Sequence, residues 1–164
     1  RKERENRDHS MILLILADLD NAIAKDGKQI TFIPEDLARF KARTTGEVIL
    51  MGRKTFEDTG KLPHRITGVM TRKNLPDEEG LFYFSSEDAL DEKLKAYGDK
   101  NIYLVGGAGI IKALFHRIEE AYMTRVNYHS GGEVKIPSLE DDFDLVETTP
   151  ITHKATEEHW IRKK

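Results

Sequence analysis

Met11-Ile12-Leu13-Leu14-Ile15-Leu16-Ala17 is a run without a single polar side chain. A strand with one face in water alternates apolar and polar residues, whereas a near-continuous apolar run of this length is what a strand buried on both faces requires. Parallel sheets covered by helices bury their strands in that way, so the run points to an α/β fold.

Downstream, Asp18 to Ile33 reads as a long polar connection with Lys25-Asp26-Gly27-Lys28 as its turn signal. The sequence then predicts a helix over Pro34 to Arg43, a short strand Val48-Ile49-Leu50-Met51 ended by Gly52, and a short helix over Arg53 to Asp58. Strands are expected over Ile66 to Thr71 and Leu81 to Phe84, and Ser86 to Tyr97 has helical periodicity with Ser85 or Ser86 as N-cap. Ile102 to Val105 is a second buried strand that runs into Gly106-Gly107-Ala108-Gly109, and Ile110 to Arg117 reads as a helix. Ala121 to Tyr128, Phe143 to Thr149 and Glu157 to Arg162 follow as strands without helices, the last two antiparallel. Strands alternating with helices, then strands alone, imply one α/β domain with a predominantly parallel central sheet of about eight strands, an antiparallel C-terminal edge and flanking helices. Ligands of such sheets bind beyond the carboxyl ends of the strands. That rule collects Asp18 to Ile33, Gly52 to Thr55, Thr71 to Lys73 and Gly106 to Gly109 on one rim.

The chain's 164 residues suit one domain with a real core. A net charge of −3 with 34% charged residues argues against a dedicated nucleic-acid or anionic-membrane partner. The absence of cysteine removes disulfides, thiolate metal sites and cysteine nucleophiles, and suits a reducing compartment, so a cytoplasmic protein is expected. No apolar run is long enough to span a bilayer. No metal site is expected, because the six histidines are scattered without metalloprotease spacing; His153 and His159 are assigned to an exposed edge strand. Arg1 to Ser10 is basic, acidic and polar throughout and carries no signal-peptide pattern. It is read as a charged, non-native or upstream tail, with Met11 the natural start of a domain running from 11 to 164.

The segment Phe32-Ile33-Pro34-Glu35-Asp36-Leu37-Ala38-Arg39-Phe40-Lys41 places Asp36 at the start of the predicted helix and Phe40 one turn later on the same face. A carboxylate flanked by an aromatic suits a flat cationic or amidine-like heterocycle, whose edge the acid grips and whose far part the ring covers. An acid in a first turn also serves merely to offset the helix dipole, and this segment alone leaves both readings open. Met51-Gly52-Arg53-Lys54-Thr55, at a strand-to-helix junction, combines free N–H groups, two cations and a hydroxyl into a phosphate site. Thr71-Arg72-Lys73 repeats that chemistry. Two such clusters on one rim suit a dinucleotide bearing an extra monophosphate; two solvated basic turns are the alternative. Val105-Gly106-Gly107-Ala108-Gly109 lets backbone approach a pyrophosphate. A Rossmann fingerprint is absent, since Lys112 stands where its third glycine belongs, and tight strand–helix packing accounts for the glycines almost as well. Thr124, in Tyr122-Met123-Thr124-Arg125-Val126, is by itself an ordinary strand residue.

In order and spacing these pieces resemble dihydrofolate reductase from Met11 to about Arg162. The strongest stretches are Ile33 to Lys41, Met51-Gly52-Arg53-Lys54-Thr55-Phe56-Glu57, Leu62-Pro63-His64-Arg65 and Val105 to Ile110. The resemblance implies NADPH-dependent reduction of 7,8-dihydrofolate, a small-molecule substrate, by a monomer. Asp36 would be the single active-site acid, which grips the 2-amino and N3 side of the pterin and promotes protonation at N5 while hydride reaches C6. Thr124 would be the strand hydroxyl bonded to that acid, and Thr31 a loop hydroxyl beside it. Phe40, Ile15 and Leu62 would line the substrate, and Arg65 would take the glutamate α-carboxylate. Ala17, Ile23, Gly52, Arg53, Lys54, Thr55, Thr71, Arg72, Gly106, Gly107, Ala108, Gly109 and Ile110 would surround the cofactor, with cations at both clusters favouring NADPH over NADH. Same-fold reduction of another pteridine or of a riboflavin-pathway aminopyrimidine, and a catalytically weak NADPH- or folate-binding homologue, are the alternatives.

The loop departs from the family's pattern. Where the family usually shows Gly and then Pro-Trp, this chain has Ala24, Ile30 and Thr31, and Ile111 replaces a tyrosine common near the nicotinamide. The tryptophan normally walls the pterin and orders a water near the acid, so its loss predicts a slower or differently gated loop. Thr31→Trp is therefore expected to raise the single-turnover hydride-transfer rate; an unchanged or lower rate would count against this reading of the loop.

Overall fold

The computed structural model describes residues 9–164, so the expectation for the tail falls largely outside the described residues. β1 (Met11–Ala17) is central, paired in parallel with β7 (Ile102–Gly106) on one side and β8 (Ile118–Val126) on the other. β4 (Val48–Gly52), β5 (Ile66–Met70) and β6 (Leu81–Phe84) extend the sheet in parallel beyond β7. β10 (Phe143–Thr152) and β11 (Ala155–Arg162) complete it, giving eight strands in the order β10-β11-β8-β1-β7-β4-β5-β6. β11 runs antiparallel to both of its neighbours.

Helices α1 (Pro34–Thr44), α2 (Arg53–Thr59), α3 (Glu87–Leu94) and α4 (Ala108–Leu114) connect the parallel strands. Side-chain alternation explains why the central strands need no polar face. In β4, Val48 and Leu50 join a core with Leu90, Leu94, Ile110, Ile111 and Leu114 from α3 and α4. Ile49 and Met51 point to the other face, where Phe56 of α2 and Leu62 pack against them. The α3 start is the one read from sequence, Ser86 accepting from the Ala89 N–H, but its last turn tightens to a 3-10 helix over Lys95–Tyr97. The helix after the glycines starts earlier than expected, at Ala108, and ends in a 3-10 turn over Phe115–Arg117.

Two expectations are corrected. The polar connection after β1 is not structureless: β2 (Ala22–Lys25) and β3 (Lys28–Gln29) form a hairpin, and β9 (Val134–Lys135) joins β2 in a separate three-stranded sheet. Asp26 and Gly27 both have positive φ, +51° and +81°, the pair of left-handed residues that a two-residue hairpin turn demands. His153 lies in the turn between β10 and β11, and His159 lies on β11, which is an interior strand; β10 is the edge. Among the described residues no helix is long and apolar enough to cross a membrane, and no cluster of acidic, histidine or cysteine side chains could hold a metal ion.

The loop leaving β1 is pinned by a buried acid. Asp18 is fully out of water; its Oδ1 accepts from the N–H groups of Asp20 and Ala22 (2.8 and 2.9 Å), and its Oδ2 from the N–H and hydroxyl of Ser130 (2.8 and 2.5 Å). Arg125 Nη1 adds bonds to the Asp18 carbonyl (2.7 Å) and the Asn21 side chain (2.8 Å). Beside Ser130, a Cβ on Gly132 would lie 2.5 Å from the Ala24 carbonyl oxygen, so only glycine lets this segment lie against β2. Burial pushes the Asp18 carboxyl up, but the bonds from Ser130, Ala22 and Asp20 outweigh it and hold the group at about 2.

Because the folded value lies below that of the unfolded chain, the stabilisation is present above pH ~4 and is lost as pH falls through about 2. Asp18→Asn, which turns one acceptor into a donor facing other donors, should lower unfolding free energy at pH 7 by about 2 kcal/mol and flatten the acid limb of stability. Urea titrations between pH 2 and 7 would show this; equal acid limbs in both proteins would refute the anchor.

Candidate active site

The carboxyl ends of the parallel strands share one rim, with Met51 opposite Gly106, Gly52 opposite Met70 and Leu16 opposite Thr124. α1 crosses that rim with an unusual attachment: Thr44 is its only fully buried residue. Pro34 starts it, where a missing N–H costs nothing, and Glu35 and Asp36 sit in the first turn with Lys41 and Arg43 in the last, all complementing the helix dipole. Polar contacts hold the helix down. Thr124 of β8 donates its hydroxyl to Asp36 Oδ1, while Arg39 and Arg43 reach across to Glu157 of β11, which stands opposite Thr124 in the β8–β11 register.

These groups surround a cavity of ≈ 120 Å³ lined by Leu14, Ile15 and Leu16 of β1, Val105 of β7, Asp36, Arg39 and Phe40 of α1, Gln29 of β3 and Glu157. Burial raises the proton affinity of Asp36 first; the Thr124 hydrogen bond opposes this, the negative charge of Glu157 adds to it, and Arg39 and Arg43 oppose it more weakly. The net effect keeps Asp36 protonated to higher pH than an ordinary carboxyl. Glu157 receives Arg39 Nη2 at 2.5 Å and Nε at 3.2 Å, and Arg43 Nη2 at 2.9 Å, so its lone pairs are committed.

The sequence-derived residues assigned to catalysis and substrate fall into four groups. Asp36, Phe40 and Ile15 line the cavity, with Thr124 bonded to the acid. Arg65 lies beside them, its guanidinium 6.0 Å from the Phe40 ring centre, with Nε bonded to the Thr44 hydroxyl and Nη1 to the Pro63 carbonyl. Leu62 is one layer away, packed on the Ile49–Met51 core. Thr31 lines a different, outer groove of ≈ 450 Å³ with Phe32, Tyr128, His153 and Lys154. Its carbonyl accepts from Gln29 Nε2 at 2.6 Å, so it touches the Asp36 cavity only through Gln29.

The residues assigned to the cofactor flank the neighbouring strand ends. The Gly106–Gly107 peptide is cis, and Gly106 has φ +126°, a conformation that side-chain-bearing residues rarely adopt. A Cβ on Gly107 would meet the Thr55 hydroxyl at 3.7 Å, and one on Gly52 would meet Gly107 N at 3.8 Å, so these glycines leave a notch walled by backbone. Thr55 borders it, with Arg53 and Lys54 exposed nearby and Thr71 and Arg72 following β5 on the adjacent strand end. Neither α2 nor α4 has a side-chain cap. Arg53 is already paired with Glu57 at 2.8 Å across an exposed turn. Ala17, Ile23 and Ile110 are buried in the core beneath the rim, while Ala108 is half-buried and Gly109 exposed. Gln29, Arg39 and Glu157 are the polar cavity residues that sequence reasoning did not assign to the site, along with the apolar Leu14, Leu16 and Val105. Arg39 had a signal, its i+3 spacing from Asp36; Glu157 and Gln29 had none without strand register.

The family model described as Dihydrofolate reductase matches residues 10–162. Dihydrofolate reductase of Bacillus subtilis is 37% identical over 136 residues, covering 80% of this chain and 78% of that protein. The type 1 enzyme of Escherichia coli is 30% identical over 154 residues, covering 92% and 97% respectively. Among solved structures, dihydrofolate reductase from Enterococcus faecalis complexed with NADP(H) and RAB-propyl superposes with a TM-score of 0.77 at 27% identity, over 94% of this chain and 97% of that one.

Thr124→Val keeps the shape of the strand and removes the donor to Asp36. The Asp36 carboxyl should then hold its proton to still higher pH, seen as an upward-shifted carbon-13 titration, with ~1 kcal/mol lost in urea unfolding. A midpoint that stays in place or falls would show that this hydroxyl does not stabilise the carboxylate.

Proposed function

The chain belongs to the dihydrofolate reductase family, and from that premise we propose how its rim carries out the NADPH-dependent reduction of 7,8-dihydrofolate to 5,6,7,8-tetrahydrofolate. The observation that carries the reading is Asp36: a half-buried acid of raised proton affinity, bonded by Thr124 and lining a largely apolar cavity with Phe40 one turn away. The pterin has an N–C–N edge that a carboxyl can meet with two parallel hydrogen bonds, and Asp36 is assigned to it. Of the two carboxyl groups lining the cavity, Glu157 is locked between two guanidinium groups, which leaves Asp36 to promote protonation at N5. Ile15 and Phe40 provide the apolar walls that position the ring and keep water from the reacting carbon.

The notch at Gly52, Gly106 and Gly107 fits NADPH by its chemistry: backbone open to close approach, the Thr55 hydroxyl, and cations at Arg53, Lys54 and Arg72 for separate phosphates. When bound, NADPH supplies the hydride for C6. Arg65 distinguishes a folate from a pteridine without a glutamyl tail, because its Nη2 has no partner among the described residues and is left for a carboxylate beyond Phe40. Thr31 acts from outside the cavity, its backbone carbonyl holding the side chain of the lining residue Gln29. We read the enzyme as a monomer of a reducing, cytoplasmic compartment, which its cysteine-free composition suits.

Loss of reduced-nicotinamide absorbance with 7,8-dihydrofolate should be faster with NADPH than with NADH. It should fall on the order of 10²-fold or more in Asp36→Asn, and its rate should decline as pH rises through the titration of Asp36. Arg65→Leu should raise KM for dihydrofolate with kcat nearly unchanged, the mark of a group that binds substrate and transition state alike. NADPH binding without turnover of dihydrofolate would sink the proposal.

A further inference from the structure

Glu157 is a buried carboxylate inside the reaction cavity for which the mechanism above has no use. It is 7% exposed, stands opposite Thr124 in the sheet, and is gripped by Arg39 through two nitrogens and by Arg43 through one. Both arginines share the helix face of Asp36, at i+3 and i+7. On a helix surface a carboxylate and a guanidinium at i+3, as Asp36 and Arg39 are, reach each other, and a fork from arginine would occupy the same oxygens that must meet the substrate. Here Arg39 makes no ion pair with Asp36 among the described residues; its bonds go to Glu157. Arg43 is held as well, its guanidinium 3.6 Å above the Tyr122 ring, whose other partner is His159 stacked at 4.3 Å.

We propose that Glu157 is a positioning residue for the reaction: a second carboxylate that draws Arg39 and Arg43 onto itself and so keeps Asp36 free to grip the substrate and to carry a proton. The inference rests on the reading of Asp36 as the substrate-gripping acid. Two effects of Glu157 act in the same direction on Asp36. Its own negative charge disfavours a second anion nearby, and its hold on Arg39 prevents the contact that would favour one. The other charged or titratable groups on this side of the sheet include Tyr122 and Glu120 of β8, Tyr103 of β7 with Glu47 near it, His159 of β11 and Glu147 of β10 opposite it, with Glu35 and Lys41 on α1 itself. Tyr122, His159 and Glu120 bond among themselves, at 3.1 Å from the tyrosine hydroxyl and 2.6 Å from the imidazole, and none of them reaches Asp36. Glu157 is thus the carboxylate placed to hold the two arginines.

The test is the pH dependence of single-turnover hydride transfer, with saturating NADPH and dihydrofolate, in the parent, Glu157→Gln, Arg39→Gln and the double variant, alongside Asp36→Asn. With Arg39 released onto Asp36, the profile of Glu157→Gln should move to lower pH by about one unit, a roughly tenfold loss of rate on the alkaline side. Removing Arg39 as well should return the midpoint towards the parent and recover most of the rate, because no guanidinium is then left one turn from the acid. A purely structural role would lower the urea midpoint of both variants without moving the profile, and that result would overturn the inference, as would a double variant no better than Glu157→Gln. If Glu157→Gln does not fold, Glu157→Asp, shorter by one methylene, should show part of the same shift, and an unmoved profile in it would equally overturn the inference. Collapse of Asp36→Asn with an unmoved Glu157→Gln profile would remove this inference alone. Full activity in Asp36→Asn would remove the reading of the site and this inference together.

Discussion

A carboxylate leaves water only with partners, and the rim of this protein is organised by how three carboxylates meet that requirement. Asp18 is satisfied from every side by backbone and hydroxyl donors, and becomes a structural pin. Glu157 is satisfied by two guanidinium groups, and ties a helix to the last strand of the sheet. Asp36 receives one hydroxyl and little else, and so stays half-satisfied beside an apolar cavity. The first two make the third possible. Asp18 fixes where the loop leaves the sheet, Glu157 fixes the helix that carries Asp36, and the remaining hydrogen-bonding capacity of Asp36 is available to a ligand.

The sheet supplies the frame for that arrangement. Its parallel strands end together, so their connections collect side chains of very different sequence position on one rim. At the carboxyl ends of β7 and β4, Gly106 and Gly107 come up against Met51 and Gly52, and the three glycines leave backbone facing the notch. On the other side of β1, β8 and the antiparallel β11 contribute the polar residues Thr124 and Glu157 that α1 needs, since that helix has almost no apolar face with which to bury itself. The two sides of β1 thus divide the chemistry, with backbone and cations on one and acid, hydroxyl and aromatic on the other.

Much of this was legible from residue order. The continuous apolar runs of β1, β4 and β7 announced strands covered on both faces, and the glycines after β7 and the acid–aromatic spacing of Asp36 and Phe40 marked the rim locally. What escaped was whatever depends on register or on very short elements. β2 and β3 have four and two residues, too few for any periodicity to emerge, and they are held by a segment more than a hundred residues away. Glu157 is an acid within a strand pattern whose partners are visible only once β11 is laid against β8. Thr31 was placed beside the acid by alignment of the loop alone. The hairpin that puts Gln29 at the edge of the Asp36 cavity and Thr31 in the outer groove is set by the Asp26-Gly27 turn and the Gly132 contact.

The place of β11 in the sheet makes it a clasp. Among the sheet's eight strands it comes latest in the sequence, yet it lies inside, between β10 and β8. Its Glu157 side chain is the partner of Arg39 and Arg43, and its backbone covers the flank of β8. The clasp closes the polar side of the rim, away from the glycine notch between β4 and β7. The β10–β11 hairpin along β8 thus fastens a helix whose arginines precede Glu157 by more than a hundred residues, so two distant parts of the chain are held by one ion-paired contact.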